Sequence, residues 1–252
     1  MLYFTDSHCH LDWFTEPATI AHQAKEIGVW RIVIPAISVR HFEAVKQSAL
    51  LDGVYAAYGL HPLYQAEHLP EHHEILQEWV ARENPIAIGE CGLDYFYTEH
   101  QALHSAQMET FLFQLKLAKR FDLPLLLHAR KSLDAILHQL KRHAIKRFVI
   151  HSFTGSDQQL SQILDMGGYV GIGGTSTYPR ASRLQRQLAI LPANRFLLET
   201  DAPDQPLCGR QGIENTPDQT FHVAKHLAQL RGCSLAEISE QSEANAKRFF
   251  GW

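Results

Sequence analysis

The strongest constraint on the fold of this chain is a regular alternation of short apolar runs with longer amphipathic stretches. Eight apolar runs predict β-strands, at Tyr3–His8, Trp30–Ala36, Val54–Gly59, Ile86–Glu90, Leu123–His128, Phe148–His151, Tyr169–Ile172 and Phe196–Glu199. Nine amphipathic stretches predict α-helices, at Thr19–Ile27, Phe42–Leu51, Glu71–Arg82, Ala102–Phe121, Ser132–His143, Asp157–Met166, Arg180–Ile190, Asp218–Arg231 and Ser234–Phe250. The fourth helix is the clearest, because its apolar residues follow the spacing of one buried face: Met108, Phe111, Leu112, Leu115 and Ala118.

This alternation predicts a parallel sheet with helices on its outer side. Strands that alternate with helices pair in parallel through right-handed crossovers, and nearly all-apolar strands are covered on both faces. Eight such units in 252 residues match a (β/α)8 TIM barrel of the α/β class, with a doubly wound open sheet as the main alternative. No linker, repeat or low-complexity run divides the chain, so we expect a single domain over residues 1–252.

Composition and charge restrict the classes of function. The formal net charge of −4 excludes a broadly basic protein that coats nucleic acid by charge alone, although a local basic groove stays possible. The four cysteines form no C-x-x-C pair, which argues against a disulfide framework or a cysteine zinc site. No apolar run is long enough for a membrane span and no signal-peptide pattern opens the chain, so we expect a cytoplasmic protein with no membrane contact. The oligomeric state stays open.

Polar residues of metal-ligand type stand at or near the ends of five predicted strands. These residues are His8, His10, Glu90, His128, His151, Glu199 and Asp201. Each has an ordinary alternative when taken alone, such as a hydrogen-bonded core histidine, a helix cap or a structural ion pair. The set is more informative than its members, because a parallel barrel gathers the carboxyl ends of all its strands on one face.

A barrel would therefore bring six of these residues together as ligands: His8, His10, Glu90, His128, His151 and Asp201. Four imidazoles and two carboxylates exceed the needs of one tetrahedral ion and suit two divalent ions, with Zn, Mn or Mg as candidates. A carboxylate can bridge two ions, and Glu90 is the best placed to do so because it lies in the middle of the series.

Seven stretches resemble the motifs of one family, in order from one end of the chain to the other. They are Thr5–His10, Gly59–Pro62, Ile88–Tyr95, His128–Arg130, His151–Gly155, Leu198–Pro203 and Asn245–Phe250. On these motifs the chain resembles the TatD-type metal-dependent hydrolases, a branch of the amidohydrolase superfamily, and is similar to the bacterial paralogues of TatD. No single motif is specific, but their combination is.

The resemblance implies a barrel with a binuclear metal site. It assigns one ion to His8, His10 and Asp201, the other to His128 and His151, and the bridging position to Glu90. The activity that it implies is metal-dependent hydrolysis of ester bonds, with removal of nucleotides from the 3′ end of single-stranded DNA or RNA. A small phosphoester is also a possible substrate, since many members have no established one.

A catalytic hypothesis follows from these assignments. Two ions can lower the pKa of a bound water, and Asp201 is placed to accept its proton as general base, with Glu90 as the other catalytic carboxylate. His61 and Arg130 are candidates for holding the phosphate, and Glu199 and Asp94 for orienting neighbouring ligands. Two alternatives stay open: a metal-dependent hydrolase of a small amide or ester, and a non-catalytic metal-binding interaction module.

Several segments differ from the family pattern or carry weaker signals. Ser152 stands where the family often has Cys, Leu63 where it often has His, and residues 213–217 where it often has Arg-Asn-Glu-Pro; all three are expected to lie near the substrate. The glycine-rich run 167–174 could bind phosphate, although tight turns and close packing are the preferred interpretation. The aromatic run 95–97 could stack on bases or simply pack over the helices.

Overall fold

The computed structural model describes residues 2–96 and 98–252, without the side chains of residues 98–100. The strands are β1 Phe4–Asp6, β2 Val29–Pro35, β3 Val54–Tyr58, β4 Ala87–Asp94, β5 Leu125–Arg130, β6 Phe148–Ile150, β7 Tyr169–Ile172 and β8 Phe196–Leu198. The α-helices are α1 Pro17–Glu26, α2 Phe42–Ser48, α3 His72–Glu83, α4 His104–Phe121, α5 Leu133–Arg142, α6 Asp157–Asp165, α7 Ser182–Ile190, α8 Gln219–Arg231 and α9 Leu235–Phe250. Every predicted strand and helix has a counterpart within a few residues.

The eight strands form one parallel sheet in sequence order, and this sheet closes on itself. The amide of Ser7 donates to the carbonyl of Leu198 at 2.9 Å, and the amide of Asp201 donates to the carbonyl of His8 at 2.8 Å. These bonds join the first strand to the last. The predicted TIM barrel is therefore confirmed, and the open-sheet alternative is wrong.

The fourth and fifth strands extend further toward the carboxyl rim than the sequence predicts. Pairing between β4 and β5 shifts register between Ile88 and Cys91 and then continues to the pair Asp94–Arg130. The predicted end of β4 at Glu90 is therefore wrong by four residues, because the polar segment after Glu90 still finds strand partners in β5. Glu90 consequently lies inside the barrel rather than at its edge.

The barrel interior is apolar at its amino end. One buried residue from each of seven strands meets there: Val33, Ala57, Ala87, Leu126, Val149, Tyr169 and Leu197. Phe249 and Phe250 of α9 pack against this cluster and cover that end of the barrel. A second, larger apolar cluster lies between the strands and the outer helices. The polar residues of the strands are left to the opposite, carboxyl end.

Helix α4 buries the predicted face in part, with Ala118 among its buried residues. Phe111 and Leu115 are buried, but Met108 and Leu112 are only partly so, and the polar Gln107 and Gln114 are buried in their place. Gln114 accepts the amide hydrogen of Leu60 at 2.8 Å and donates to its carbonyl at 3.1 Å. Gln107 and Gln114 are buried because their amides satisfy backbone groups of the loop after β3.

In the described ranges, no helix is both long and apolar enough to cross a bilayer. The single-domain boundaries 1–252 stay a prediction.

Candidate metal centre

The barrel brings the predicted ligand residues together around the buried carboxylate of Glu90. Its two oxygens face five imidazole rings. The distances from a Glu90 oxygen are 3.2 Å to His8 Nε2, 3.6 Å to His10 Nε2, 3.1 Å to His61 Nε2, 3.3 Å to His128 Nδ1 and 3.6 Å to His151 Nε2. The four histidines predicted as ligands thus share one place, and His61 lies among them.

Asp201 supplies a second carboxylate to the same cluster. Its Oδ1 lies 3.6 Å from Nε2 of His8 and of His10, and its Oδ2 lies 3.9 Å from Nε2 of His151. The backbone of Asp201 has φ of +57°, in the left-handed region that non-glycine residues seldom adopt. The Gln205 amide donates a hydrogen bond to Oδ2. These constraints hold the carboxylate toward the histidines.

The donor atoms form three overlapping groups in which all donors lie within 4.8 Å of one another. The groups are His8, His10 and Asp201; His8, Glu90 and His151; and His61, Glu90 and His128. Imidazole nitrogens and carboxylate oxygens are the donors used by Zn and Mn sites in proteins. Polar groups buried at this density need a partner, and the chemistry of the set fits divalent cations.

Two further buried carboxylates orient the histidines. Asp94 Oδ2 lies 2.8 Å from His128 Nε2, so His128 presents Nδ1 to Glu90. Glu199 Oε1 lies 3.3 Å from His151 Nδ1 and also accepts the amide hydrogen of Ser152 at 2.6 Å, so His151 presents Nε2. This arrangement matches the predicted orienting roles of Asp94 and Glu199, and carboxylate–histidine pairs of this kind fix ligand tautomers around metals.

Two contributing residues, Asp6 and Trp13, have no individual role assigned from the sequence. Asp6 accepts the amide hydrogens of His8 at 3.2 Å and Thr200 at 3.1 Å, and the Thr200 hydroxyl at 2.5 Å, which ties the ends of β1 and β8 together. Trp13 stacks on His10 with ring centroids 4.7 Å apart. Asp6 and Trp13 lie two and three residues from the His-x-His motif, which is the one signal that could have pointed to them.

The electrostatics of the cluster centre on Glu90. Burial raises the pKa of its carboxyl, but the charges of His61 and His8 and the hydrogen bonds from His128 and His61 outweigh burial and hold that pKa well below its usual value. Burial lowers the pKa of His61, and it lowers the pKa of His10 to about 3. Glu90 is therefore ionised, and His10 keeps a neutral ring that can donate a lone pair.

Two other histidines of the cluster, His151 and His128, hold their protons more strongly than a free imidazole does. Burial alone would lower the pKa of His151, but the carboxylates of Asp201 and Glu199 outweigh it and raise that pKa to about 10. The pKa of His128 is raised because its bonds to Asp94 and Glu90 outweigh burial. Burial also raises the pKa of Asp201, despite the opposing effect of His151. Excess carboxylate of this kind is the electrostatic condition that a bound cation requires.

Comparison with known proteins places this centre in a family. The family model described as "TatD related DNase" matches residues 5–251. The chain belongs to the TatD family. The predicted resemblance is thereby confirmed.

Individual TatD relatives cover nearly the whole chain. YjjV of Escherichia coli K12, described as an uncharacterized metal-dependent hydrolase, is 40% identical over 98% of this chain and 97% of its own. The crystal structure of YjjV superposes with a TM-score of 0.94 at 39% identity, covering 99% of this chain and 98% of that one. The 3′-5′ ssDNA/RNA exonuclease TatD of Pantoea ananatis is 30% identical over 92% of each chain. The protein is thus a metal-dependent hydrolase of the TatD family.

The two residues predicted to bind substrate lie in different surroundings. His61 is buried beside Glu90, in one of the donor groups, so its position fits a metal ligand as well as a phosphate contact. Arg130 lies further out. Its guanidinium stacks over Phe96 at 3.7 Å and lines a cavity of about 730 Å³ beside the centre. Of the two, Arg130 is the one that faces open space.

The departures from the TatD pattern differ in their contacts. The Ser152 hydroxyl donates to Gln205 Oε1 at 2.9 Å, next to the bond from Gln205 to Asp201. Asn215, by contrast, is 1% exposed, and its amide donates to the carbonyls of Thr200 and Asp204. Asn215 therefore braces the loop after β8, and the expectation that residues 213–217 lie near the substrate stays a prediction.

In the glycine-rich run of residues 167–174, Gly171 packs closely against a neighbouring side chain. A Cβ on Gly171 would lie 2.1 Å from Glu199 Oε2, so only glycine leaves room for the carboxylate that orients His151. This contact favours the close-packing interpretation of residues 167–174 over the phosphate loop. In the aromatic run 95–97, Tyr95 packs on the ring of His104 at 4.0 Å, and Tyr97 lies outside the described residues.

Proposed function

We propose that the protein is a divalent-metal-dependent phosphodiesterase that removes nucleotides from the 3′ ends of single-stranded DNA or RNA. The observation that carries this proposal is the buried cluster of imidazoles and carboxylates at the open end of the barrel. The similarity to a chain named as a 3′-5′ ssDNA/RNA exonuclease supports the choice of substrate. A small phosphoester would use the same centre.

The donor groups suggest how two divalent ions, Zn, Mn or Mg, would be held. By the family resemblance, His8, His10 and Asp201 would hold one ion, His128 and His151 the other, and Glu90 would contact both. The first set is itself one donor group, whereas His128 and His151 belong to two different groups that share Glu90. His61 is available as an additional ligand on the His128 side. When bound, such ions lower the pKa of a coordinated water and stabilise charge on the attacked phosphoryl group.

The remaining steps fall to side chains of this chain. Asp201 Oδ2 accepts the proton of the attacking water as general base. Gln205 holds this carboxylate in place through its hydrogen bond. Arg130 offers a planar fork of N–H donors to the phosphate. Glu199 and Asp94 act as positioning residues that keep His151 and His128 turned toward the centre.

The test is hydrolysis by the purified protein supplied with Mg²⁺, Mn²⁺ or Zn²⁺. Substrates are single-stranded DNA and RNA with free or blocked 3′ ends, a phosphodiester dye and a carboxylester dye. We expect metal-dependent shortening from free 3′ ends only, and a loss of at least about 100-fold in the Asp201→Asn variant. Activity confined to the carboxylester would overturn the phosphodiesterase assignment in favour of an amide or ester hydrolase. Inactivity on every substrate would favour a non-catalytic metal-binding module.

We also propose that the protein works in the cytoplasm. All four cysteines are free thiols, and Cys9 and Cys91 are buried. Free thiols are typical of proteins in a reducing compartment. Fractionation of cells that express a tagged chain tests this location.

A further inference from the structure

Two neighbouring cavities open beside the metal centre. The first, of about 730 Å³, is lined by residues next to two proposed ligands, including Arg130 after His128 and Phe153 after His151. The second, of about 580 Å³, reaches Gln205, which donates to Asp201. The two cavities share Thr154 and Arg183 in their walls. The two cavities therefore adjoin each other, and residues that neighbour or contact the proposed ligands line both of them, so we treat them as one groove beside the centre.

Cationic side chains line this groove along its length. We call it the arginine groove and define it by Arg130, Lys131, Arg183 and Arg180. Asp134 is the one acidic residue among the described lining residues, and Gln159 already donates to its carboxylate at 2.8 Å. A concentration of cations is notable in a chain of net charge −4, and it gives the groove a local positive potential.

The cations beyond Arg130 are not used in structural ion pairs. Within the described part of the chain, no ion pair to a carboxylate involves Lys131, Arg180 or Arg183. Arg183 donates to the carbonyl of Thr154 at 3.1 Å, and Arg180 lies over the Tyr178 ring at 5.2 Å. Lys131, Arg180 and Arg183 are exposed residues, so an anion can reach them.

Aromatic rings accompany these cations. Phe96 is 45% exposed in the first cavity, and Tyr178 lines the second. Cationic grooves with interspersed aromatic rings are the usual means of binding single strands, because the cations follow the phosphates and the rings stack on bases. A small phosphoester would fill the centre and Arg130 and would have no use for Arg183 or Arg180.

We propose that the arginine groove binds the sugar-phosphate backbone of a single-stranded polynucleotide on the 5′ side of the cleaved bond. The proposal rests on the function proposed above. It adds the surface that would hold the strand beyond the cleaved bond, and it favours a polynucleotide over the small phosphoester that would use the same centre. Because removal of a 3′ nucleotide leaves the rest of the strand on the 5′ side, that strand must leave the centre along a surface, and the groove supplies one.

Binding without catalysis is the first test. Fluorescence anisotropy with 5′-labelled dT10 and rU10 in EDTA compares the wild type with the double variant R180Q/R183Q. R186Q is the matched control, since Arg186 is exposed on the same helix, α7, and lines neither cavity. We expect the Kd of the double variant to rise about tenfold and its slope of log K against log salt to fall by about 1.4, while R186Q stays within about twofold.

Two results would overturn the proposal that this groove binds single strands. One is unchanged binding of both strands by the double variant, and the other is equal weakening of binding by R186Q. Unequal effects on dT10 and rU10 identify which polymer the groove prefers.

Catalysis is the second test, and it separates the groove from the proposed function. The measured quantity is kcat/KM for dT10 divided by kcat/KM for bis(p-nitrophenyl) phosphate with the same metal. We expect this ratio to fall about tenfold in R180Q/R183Q and to stay constant in R186Q. If R180Q/R183Q hydrolyses both substrates with an unchanged ratio of kcat/KM values, the groove proposal is contradicted and the proposed function is not. A wild type that binds dT10 through these arginines but hydrolyses neither substrate contradicts the proposed function alone.

Discussion

At the scale of single residues, Glu199 offers the sharpest test of how the centre is organised. It is buried and contacts the ring of His151 on the side away from Glu90. Replacing it by Gln preserves shape but removes the charge that makes His151 a strong electron donor. We expect Glu199→Gln to weaken metal binding by about 10- to 100-fold, measured as the Kd for Zn²⁺ or Mn²⁺ in competition with a chromogenic chelator.

A control variant and a rescue experiment separate this role from structural damage. Glu214→Gln changes an exposed glutamate and should leave metal affinity as it is. If excess metal restores the kcat of Glu199→Gln while its metal Kd stays high, Glu199 is a positioning residue as proposed. An unchanged metal Kd in a folded Glu199→Gln protein would contradict that role.

Single residues also show which features of the centre could be predicted from the sequence and which could not. The residues proposed as ligands could be selected from the sequence, because each ends or closely follows an apolar run. The contacts of Trp13 and Gln205 could not be, since they depend on loops that meet only after folding. Ser152 and Asp201 adopt positive φ although neither is glycine, and no local sequence pattern predicts that. His61 was expected to touch substrate, and only the folded loop shows how near it lies to Glu90.

At the scale of elements, helix α4 supports the centre through the loop after β3. Gln114 is fully buried and satisfies both backbone groups of Leu60, the residue before His61. Gln114→Leu keeps the volume but leaves those two groups without a partner. We expect the free energy of unfolding to fall by about 2 kcal/mol, measured by urea denaturation. Lys116→Leu, at an exposed position of the same helix, is the control and should change it by less than about 0.5 kcal/mol.

The two buried glutamines of this helix explain why its buried face was predicted only in part. Apolar periodicity assigns Met108 and Leu112 to the core, whereas the structure gives those places to Gln107 and Gln114. The glutamines gain burial because the neighbouring loop presents unpaired backbone groups to them. Such groups belong to residues far away in the sequence, so periodicity alone cannot detect them.

In strand β7, Gly171 is the basis of a separate prediction. A methyl group on Gly171 would overlap the Glu199 carboxylate, which in turn contacts His151. We expect Gly171→Ala to displace Glu199 and to weaken metal binding by about tenfold, in the same direction as Glu199→Gln. The chelator competition assay measures it. Gly167→Ala strains a left-handed backbone (φ +79°) before β7 but brings its Cβ within 4 Å of nothing, so it controls for general destabilisation. Equal metal affinity in Gly171→Ala and the wild type would show that Glu199 adapts freely.

At the scale of the whole molecule, the barrel could be predicted because its evidence is repeated eight times. Errors of a few residues at strand ends do not alter a count of strands or their parallel pairing. The net charge of −4 was a weaker guide, since it says nothing about where the cations lie. The arginine groove collects residues 130 and 131 from the end of β5 and residues 180 and 183 from around the start of α7, and only the closed barrel brings them together.

The metal centre couples the stability of the whole barrel to its ions. Its donors come from β4 and β5 and from the segments after β1, β3, β6 and β8, so a site of this geometry exists only in the folded chain. A ligand that binds only the folded state at 100 times its Kd stabilises it by about 2.7 kcal/mol. For a chain of this size we expect saturating Zn²⁺ or Mn²⁺ to raise Tm by about 5–10 °C over the EDTA-treated protein, measured by calorimetry. Glu90→Gln removes the carboxylate common to two donor groups, and we expect it to abolish most of this increase. Equal Tm values with metal and with EDTA would contradict a resident metal centre, whatever substrate the enzyme hydrolyses.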